Sequence, residues 1–364
     1  MNVCIIGEGL TALSLAKSLI NKKINVHYYH KSRNSNFSSN RTIGISKSNF
    51  EFFKEKIFQI SKNNYWKINR IEIYTDKIDT ENLLKFENDK NDLFYIIKND
   101  ELLKSLNSNL IKSKFFKKII LKKNINEEFL NKKEYDLIIN CDANNFLAKK
   151  YFTKKISKNY YNLAYTTILK HKKIENNTAT QIFTKQGPIA FLPISNTETS
   201  VVYSMDIKNK KFDNSDVIDL INKNNPKYQI NKIDKLNSFE LSSSNLRNYH
   251  HKNILAFGDM LHRVHPLAGQ GFNMTIRDLR ILTKIIEDKI ELGMQLDSQI
   301  FDEFEKKTKD KNFVFSKAID LIYESFNLDK KVQNKSFSKI LKSIGKNKNL
   351  NNYFIKLADT GINF

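Results

Sequence analysis

Asn2-Val-Cys-Ile-Ile-Gly7-Glu-Gly9-Leu-Thr-Ala12-Leu-Ser-Leu-Ala16 follows the initial Met1 and decides the fold class. Residues 2–6 are a short apolar run of strand type, and Leu13, Ala16, Leu19 and Ile20 then recur at helical spacing. Residues 24–29 return to strand character, which makes a β-turn-α-β unit. Gly7 and Gly9 permit a tight turn, after which the first helical N–H groups point at a ligand phosphate. Ala12 stands where a third glycine is usual and is small enough for close helix–strand packing. The pattern predicts an α/β dinucleotide-binding domain. The plainer alternative is a glycine turn in an α/β domain that binds no dinucleotide.

Beyond residue 45, Phe50, Phe53, Ile57 and Ile60 predict a helix, and 71–74 and 94–97 predict strands. Asp100 precedes a helical run through Leu102, Leu103 and Leu106 and is expected to cap it. Strands are expected at 117–122 and 135–141. The section from 156 to 245 is strand-rich, with runs at 164–169, 180–183, 189–194 and 200–204 and no long helix before 215–223. That is the pattern of an antiparallel sheet inserted into or joined to an α/β domain. One more buried strand is expected at 253–257, and the chain from 273 reads as mostly helical.

The 364 residues are 40% hydrophobic and 12% aromatic, too apolar for general disorder, and no apolar run is long enough to cross a bilayer. The start reads as a strand entering glycine and not as a signal peptide. Two cysteines, Cys4 and Cys141, exclude a multi-bridge framework and fit a reducing cytoplasm. The net charge is +22, but its lysines are spread over nearly the whole chain. A nucleic-acid site needs a stripe of Arg and Lys with stacking aromatics, so no nucleic-acid partner is expected. Such a surface does feel anionic lipid, and the C-terminal phenylalanines Phe301, Phe304, Phe313, Phe315 and Phe326 read first as helix packing and second as a greasy passage. Arginine is scarce, which draws attention to Arg41, Arg263 and Arg277.

The segment richest in chemistry runs from Gly258-Asp259 to Asp278. A buried strand runs into Gly-Asp, where a carboxylate can accept a ribose or ribityl hydroxyl. The turn His265-Pro-Leu-Ala-Gly269-Gln-Gly271 carries two glycines, and Phe272-Asn273 opens a helix whose free N–H groups can face a phosphate or an electron-rich ring edge. His262 and His265 lie three apart, but a proline turn and the lack of a neighbouring carboxylate or cysteine set argue against a metal.

Gly258-Asp259, His262, His265-Pro-Leu-Ala-Gly-Gln-Gly-Phe-Asn273 and Asp278 together resemble the second flavin motif of the FAD-dependent aromatic-ring monooxygenases, most closely their ubiquinone-biosynthesis branch. Gly7, Gly9 and Ala12 match that family's adenylate-binding glycines. Arg41-Thr-Ile-Gly-Ile-Ser46 resembles the segment where the family keeps an arginine near the flavin. Residues 186–193 resemble its substrate-sheet signature, and 136–142 its middle strand. The resemblance runs from about residue 2 to 361.

The resemblance implies an α/β protein with an FAD-binding domain in three parts (1–68, 98–155 and 249–300). Substrate-domain strands are implied at 69–97, an antiparallel-sheet substrate domain at 156–248, and a helical region at 301–364. It implies FAD, with NAD(P)H or another external donor, hydroxylating a polyprenylated phenol with dioxygen through a flavin C4a-hydroperoxide. The implied catalytic residues are Pro266, His265 and Gly269. The implied cofactor contacts are Gly7, Gly9, Ala12, His30, Arg41, Asp259, Pro266, Gly269, Gln270, Gly271, Phe272 and Asn273, with no metal. A quinone-biosynthesis complex and a peripheral membrane are the expected partners, and the location is cytoplasmic at the inner face of the membrane. Lys149, Tyr203 and Gln181 are further candidates for the substrate side, with sheet packing as the alternative.

The chain departs from the family at several places. His30 stands where an acidic residue normally binds the adenosine ribose, and losing one charged hydrogen bond costs about 1.5–3 kcal/mol. The middle motif reads Cys141-Asp142-Ala143 with Phe146 and Lys149. Met260-Leu261 replaces two alanines after Gly-Asp, a tighter pocket if those side chains face the cofactor. Two other readings stay open: another flavoprotein oxidoreductase of the same fold, or a flavin-poor assembly partner in a quinone-making complex.

Overall fold

The computed structural model describes residues 1–31, 41–75, 82–87, 92–121, 134–208, 212–332 and 347–362. Its elements begin β1 (Asn2–Ile6), α1 (Leu10–Ile20), β2 (Asn25–Lys31), β3 (Thr42–Ser46), α2 (Lys47–Phe52), β4 (Trp66–Ile68), β5 (Arg70–Thr75), β6 (Leu84–Glu87), β7 (Phe94–Lys98) and α3 (Asn99–Ile111). They continue β8 (Phe116–Leu121), β9 (Leu137–Asn140), α4 (Phe146–Tyr151), β10 (Lys155–His171), β11 (Thr178–Phe183), β12 (Pro188–Pro193), β13 (Glu198–Asp206) and α5 (Asn214–Lys223). The remainder is β14 (Ile230–Ile233), β15 (Asn237–Leu246), β16 (His250–His251), β17 (Ile254–Ala256), β18 (His262–Arg263), α6 (Gln270–Glu291), α7 (Gln299–Val332) and α8 (Lys348–Thr360).

Three sheets carry the fold. The first has the order β16-β17-β9-β1-β2-β8, and all its pairings except β16–β17 are parallel. Val3, Ile5, Leu137, Ile138, Ile139, Ile254 and Leu255 in its central strands are wholly buried, as a parallel sheet covered on both faces requires. α1 packs against both α3 and α6. The second sheet runs β18-β15-β10-β13-β12-β11-β5-β6, with β14 beside β10. It is antiparallel except for β5–β11. Strand β10 is 17 residues long and changes register between Asn159 and Asn162. There Tyr161 adopts φ 54°, and Asn159 Oδ1 accepts its N–H at 2.8 Å, the local bond that makes such a bulge tolerable.

The third sheet, β3-β7-β4, joins the two larger layers. It corrects one expectation: the 94–97 strand pairs with β3 and β4 and not with the substrate sheet. Its ring at Phe94 lies where a Cβ on Gly44 would be, 2.0 Å from the ring, so β3 approaches β7 only because residue 44 has no side chain. Asp100 does not cap α3 either. Lys98 holds the N-cap position and Asp100 lies in the first turn, where its charge still complements the helix dipole. The helix expected from 273 starts three residues earlier, at Gln270. Trp66 is a half-buried anchor, its indole N–H donating to Asn176 O at 2.5 Å.

Candidate flavin site

The carboxyl ends of β1, β2, β9 and β17 lie side by side, held by Gly7 N→Tyr29 O at 3.0 Å, Cys141 N→Ile6 O at 2.7 Å and Phe257 N→Asn140 O at 2.9 Å. Open parallel sheets bind ligands at this edge, and it gathers Gly7, His30, Asp142 and Asp259. Gly7 has φ +134°, and a Cβ on it would press on Cys141 at 3.0 Å. Gly258 has φ +67°, and its Cβ would stand 2.5 Å from the Thr11 methyl. Missing side chains thus let the end of β1 close on the turn after β9, and the end of β17 on α1. Gly9, by contrast, faces open space: a Cβ there meets nothing within 4 Å.

This edge fits a dinucleotide. Helix α1 begins at Gly9 with no side-chain cap and no acidic residue in its first turn, and α6 begins at Gly269 in the same way. Uncapped helix N-termini leave backbone donors for an anion or an electron-rich ring edge. At the end of β2 the buried His30 Nε2 has no partner, while Nδ1 meets Lys31 O at 3.0 Å. This unpartnered ring nitrogen lies at the strand end where the resemblance puts a ribose carboxylate. Glu8 Oε1 accepts from Lys31 N at 2.9 Å, and Lys31 Nζ lies 3.2 Å from Asp142 Oδ2. Together these bonds tie the glycine turn to the end of β2 and to the turn after β9. Asp259 is exposed at the edge, close enough to Cys141 to help burial push that thiol up. Ala12 is buried against the sheet, as its size allows.

Gly269, in the left-handed region at φ 64°, turns the chain into α6. One turn later, the wholly buried Asn273 fastens this corner. Its Nδ2 donates to Gly44 O at 2.9 Å and Gly269 O at 3.1 Å, and its Oδ1 accepts from Ser46 N at 2.9 Å and Asn49 Nδ2 at 3.2 Å. The Asn273 amide is therefore spent on the protein, and the contact left to it is its backbone. Gln270 is buried with Oε1 unpartnered, Gly271 faces open space, and Phe272 is half-buried. Pro266 is half-buried beside Leu267, whose side chain touches three separate apolar clusters.

Other expected residues are placed differently. Arg41 is exposed, with its guanidinium 6.0 Å from the Phe239 ring of β15. The carboxylate thought missing near His262 is Asp278, 16 residues on: His262 Nε2 meets Asp278 Oδ2 at 2.6 Å, and Asn312 Nδ2 donates to Oδ1 at 2.9 Å. Both side chains are 1% exposed, so Asp278 joins β18, α6 and α7 internally. Among the described residues no group of three His, Cys, Asp or Glu is placed to hold a metal. Met260 and Leu261 point into the core, so they do not narrow the pocket. Tyr203 is fully buried in the sheet and bonded to Thr184 at 2.9 Å. Lys149 is exposed on α4, and Gln181 is half-buried on β11.

His265 is buried between two tyrosines, stacked on Tyr323 at 4.2 Å and edge-on to Tyr160 at 5.0 Å. Tyr160 bonds Asp320, and Asn162 Nδ2 donates to the Tyr323 hydroxyl at 2.5 Å. Both His265 nitrogens lack partners. Burial, helped by Lys158, lowers its pKa to about 3, so the imidazole is neutral at pH 7.

Comparison with known proteins points to the same fold. The family described as FAD binding domain matches residues 159–305. The chain is 24% identical to the ubiquinone biosynthesis monooxygenase COQ6, mitochondrial, of Caenorhabditis elegans, over 80% of this chain and 78% of that protein. It is 28% identical to the 3-demethoxyubiquinol 3-hydroxylase of Escherichia coli, over 40% and 39%. In several other curated relatives the match spans about half of their length. Among solved structures, p-nitrophenol 4-monooxygenase PnpA of Pseudomonas putida superposes with a TM-score of 0.77 at 11% identity, covering 100% of this chain and 98% of that one. HpxO of Klebsiella pneumoniae, solved with FAD and uric acid, gives 0.76 at 12%, covering 99% and 97%. The chain has the two-domain FAD-binding monooxygenase fold and is similar in sequence to flavin-dependent monooxygenases. Fold and homology together support a flavin-dependent enzyme with FAD as its cofactor.

Asp259→Ala is expected to weaken FAD binding roughly ten- to hundredfold with the far-UV circular dichroism unchanged. An FAD dissociation constant equal to that of the wild type would remove Asp259 from the site. The His265 shift gives a pH prediction. The folded pKa of about 3 lies below the unfolded value of 6.5, so the unfolded chain takes up the proton first and stability is lost as pH falls from 6.5 toward 3. His265→Phe is expected to flatten that part of the loss, measured as urea midpoints at pH 7 and pH 4.5. Parallel curves for the two proteins would show that the imidazole does not titrate this way.

Proposed function

We propose that the chain hydroxylates the aromatic ring of a polyprenylated phenol in ubiquinone biosynthesis, with FAD, dioxygen and NAD(P)H or another external electron donor. The observation that carries the reading is the convergence of two uncapped glycine-led helix N-termini on one strand-end edge that also presents Asp259. The names of the curated relatives support the pathway. An isoprenoid tail is supported by Leu267, next to Pro266, which packs against Leu83, Leu84, Phe183 and Phe326 on one side and Tyr160 and Tyr323 on another.

Bound FAD supplies oxygen activation after its reduction. The protein's part is placement. The Gly7–Gly9 turn and α1 receive the pyrophosphate, and His30 Nε2 offers one hydrogen bond at the ribose. Asp259 accepts from a ribityl or ribose hydroxyl. The Pro266–Gly271 turn presents backbone to the ring system, held by Asn273. Apolar packing around Leu267 keeps water from the reacting face, where bulk solvent would divert the activated oxygen.

An absorption scan of the purified chain is expected to show bound flavin, which separates an enzyme from a flavin-poor assembly partner. With labelled dioxygen, the product is expected to gain one heavy oxygen and water the other. Label entering from water would reject hydroxylation by activated dioxygen.

The same reading places the chain on the cytoplasmic membrane face, in contact with a quinone-making complex. No described helix is long and apolar enough to cross a membrane. Phe301, Phe304, Phe315 and Phe326 are buried, as the helix-packing reading expects, and Phe313 is exposed. Phe313, Val314, Leu321, Ile322 and Leu328 on α7 are exposed apolar side chains, with Leu350 and Tyr353 on α8. With lysines around them, they support a salt-sensitive surface contact. Sedimentation with anionic liposomes at low salt and partial release at high salt is the expected result. Equal binding to neutral vesicles would reject the electrostatic part.

A further inference from the structure

Helix α8 is tied down at both ends. Near its start Asn351 Nδ2 donates to Lys85 O in β6 at 2.8 Å. At its end Asp359 Oδ1 accepts from Ser48 N at 2.8 Å and Ser48 Oγ at 2.9 Å. The Asp359 carbonyl accepts from Ser46 Oγ at 3.2 Å and Asn49 Nδ2 at 3.3 Å. Between the ties Leu357 packs on the cluster of Val264, Met274, Phe315 and Ile319. Past them, Gly361 at φ +76° lies so close to Arg277 that a Cβ would stand 2.8 Å from the guanidinium. The Asp359 charge favours both Arg277 and Arg280, and Arg280 Nη2 donates to Ser48 O at 2.9 Å.

Ser46 and Asn49 are also the donors to Asn273 Oδ1. The end of α8 and the amide that pins Gly44 to Gly269 therefore hold the same two residues. With α8 undocked, Ser48 loses the carboxylate and Asn49 one of its acceptors. The join between β3 and α2 is then free to shift away from α6. We propose that Asp359 is a positioning residue for the flavin site, so that docking of α8 and uptake of FAD favour each other. The inference rests on the flavin reading above. Coupling of this kind is reciprocal: whatever α8 adds to FAD affinity, FAD adds to α8 docking.

The test uses the full chain with and without FAD. Hydrogen exchange over residues 348–360 is expected to slow on FAD addition. Asp359→Leu is expected to raise the FAD dissociation constant about tenfold, the loss of a charge-assisted, part-buried contact to Ser48. Asp359→Asn, which keeps a side-chain oxygen for Ser48, is expected to stay near wild type. Exchange in α8 unmoved by bound FAD, or FAD affinity unchanged in Asp359→Leu, overturns the proposal while the flavin reading stands. If Asp359→Leu does not fold, the exchange measurement on the unaltered chain decides alone. A wild-type chain that takes up no FAD overturns the flavin reading and the coupling with it.

Discussion

One buried amide holds the corner on which the site is built. Asn273 makes four hydrogen bonds at once, to Gly44, Ser46, Asn49 and Gly269. Three of those partners lie more than 220 residues away. Three of the four bonds are buried and the one to Gly269 part-buried, so losing the amide strands buried donors and acceptors at about 1–3 kcal/mol apiece. No hydrophobic contact replaces this, because apolar packing fixes distance and not direction. The short third sheet, the left-handed Gly269 and the start of α6 take their relative positions from it.

The local features of the site follow from nearby residues. Strand, glycine turn and helix are contiguous at Gly7–Ala12 and again at Gly258–Asn273, and the rules that predict them act over a few residues. What those rules do not reach is partner choice. The partnership of His262 with Asp278 and Asn312 depends on α6 and α7 crossing β18, which no spacing reveals. Phe94 reads as strand, but nothing near it says that Gly44 makes room for its ring. Met260 and Leu261 look like pocket intruders until the chain turn after Gly258 sends them inward. Asp359 carries no local signal at all, lying in an ordinary amphipathic helix.

Aromatic residues show the same division. Phenylalanines after 300 are legible as helix packing, and Phe304 does pack against Tyr249 and Phe257, and Phe301 against His250. Their helix also exposes Val314, Leu321 and Leu328, spaced seven apart, an apolar line on the opposite face. A count of aromatic residues cannot separate the two faces; the direction of each side chain can.

The order of strands in the first sheet has a consequence for how the chain is made. β9 is flanked by β1 and by β17, yet residues 141–253 lie between β9 and β17. A ribosome therefore delivers β1, β2, β8 and β9 long before the strand that closes the other edge of β9. Until residue 254 emerges, the wholly apolar face and open hydrogen-bonding edge of Leu137-Ile-Ile-Asn140 have no lasting partner. The second sheet must form, or be shielded, while the first is still unfinished. Slow, non-local closure of this kind exposes nascent chains to strand-to-strand aggregation. The lysines that crowd this sequence, among them Lys117 and Lys118 on the outer strand β8, keep such half-built sheets apart in solution.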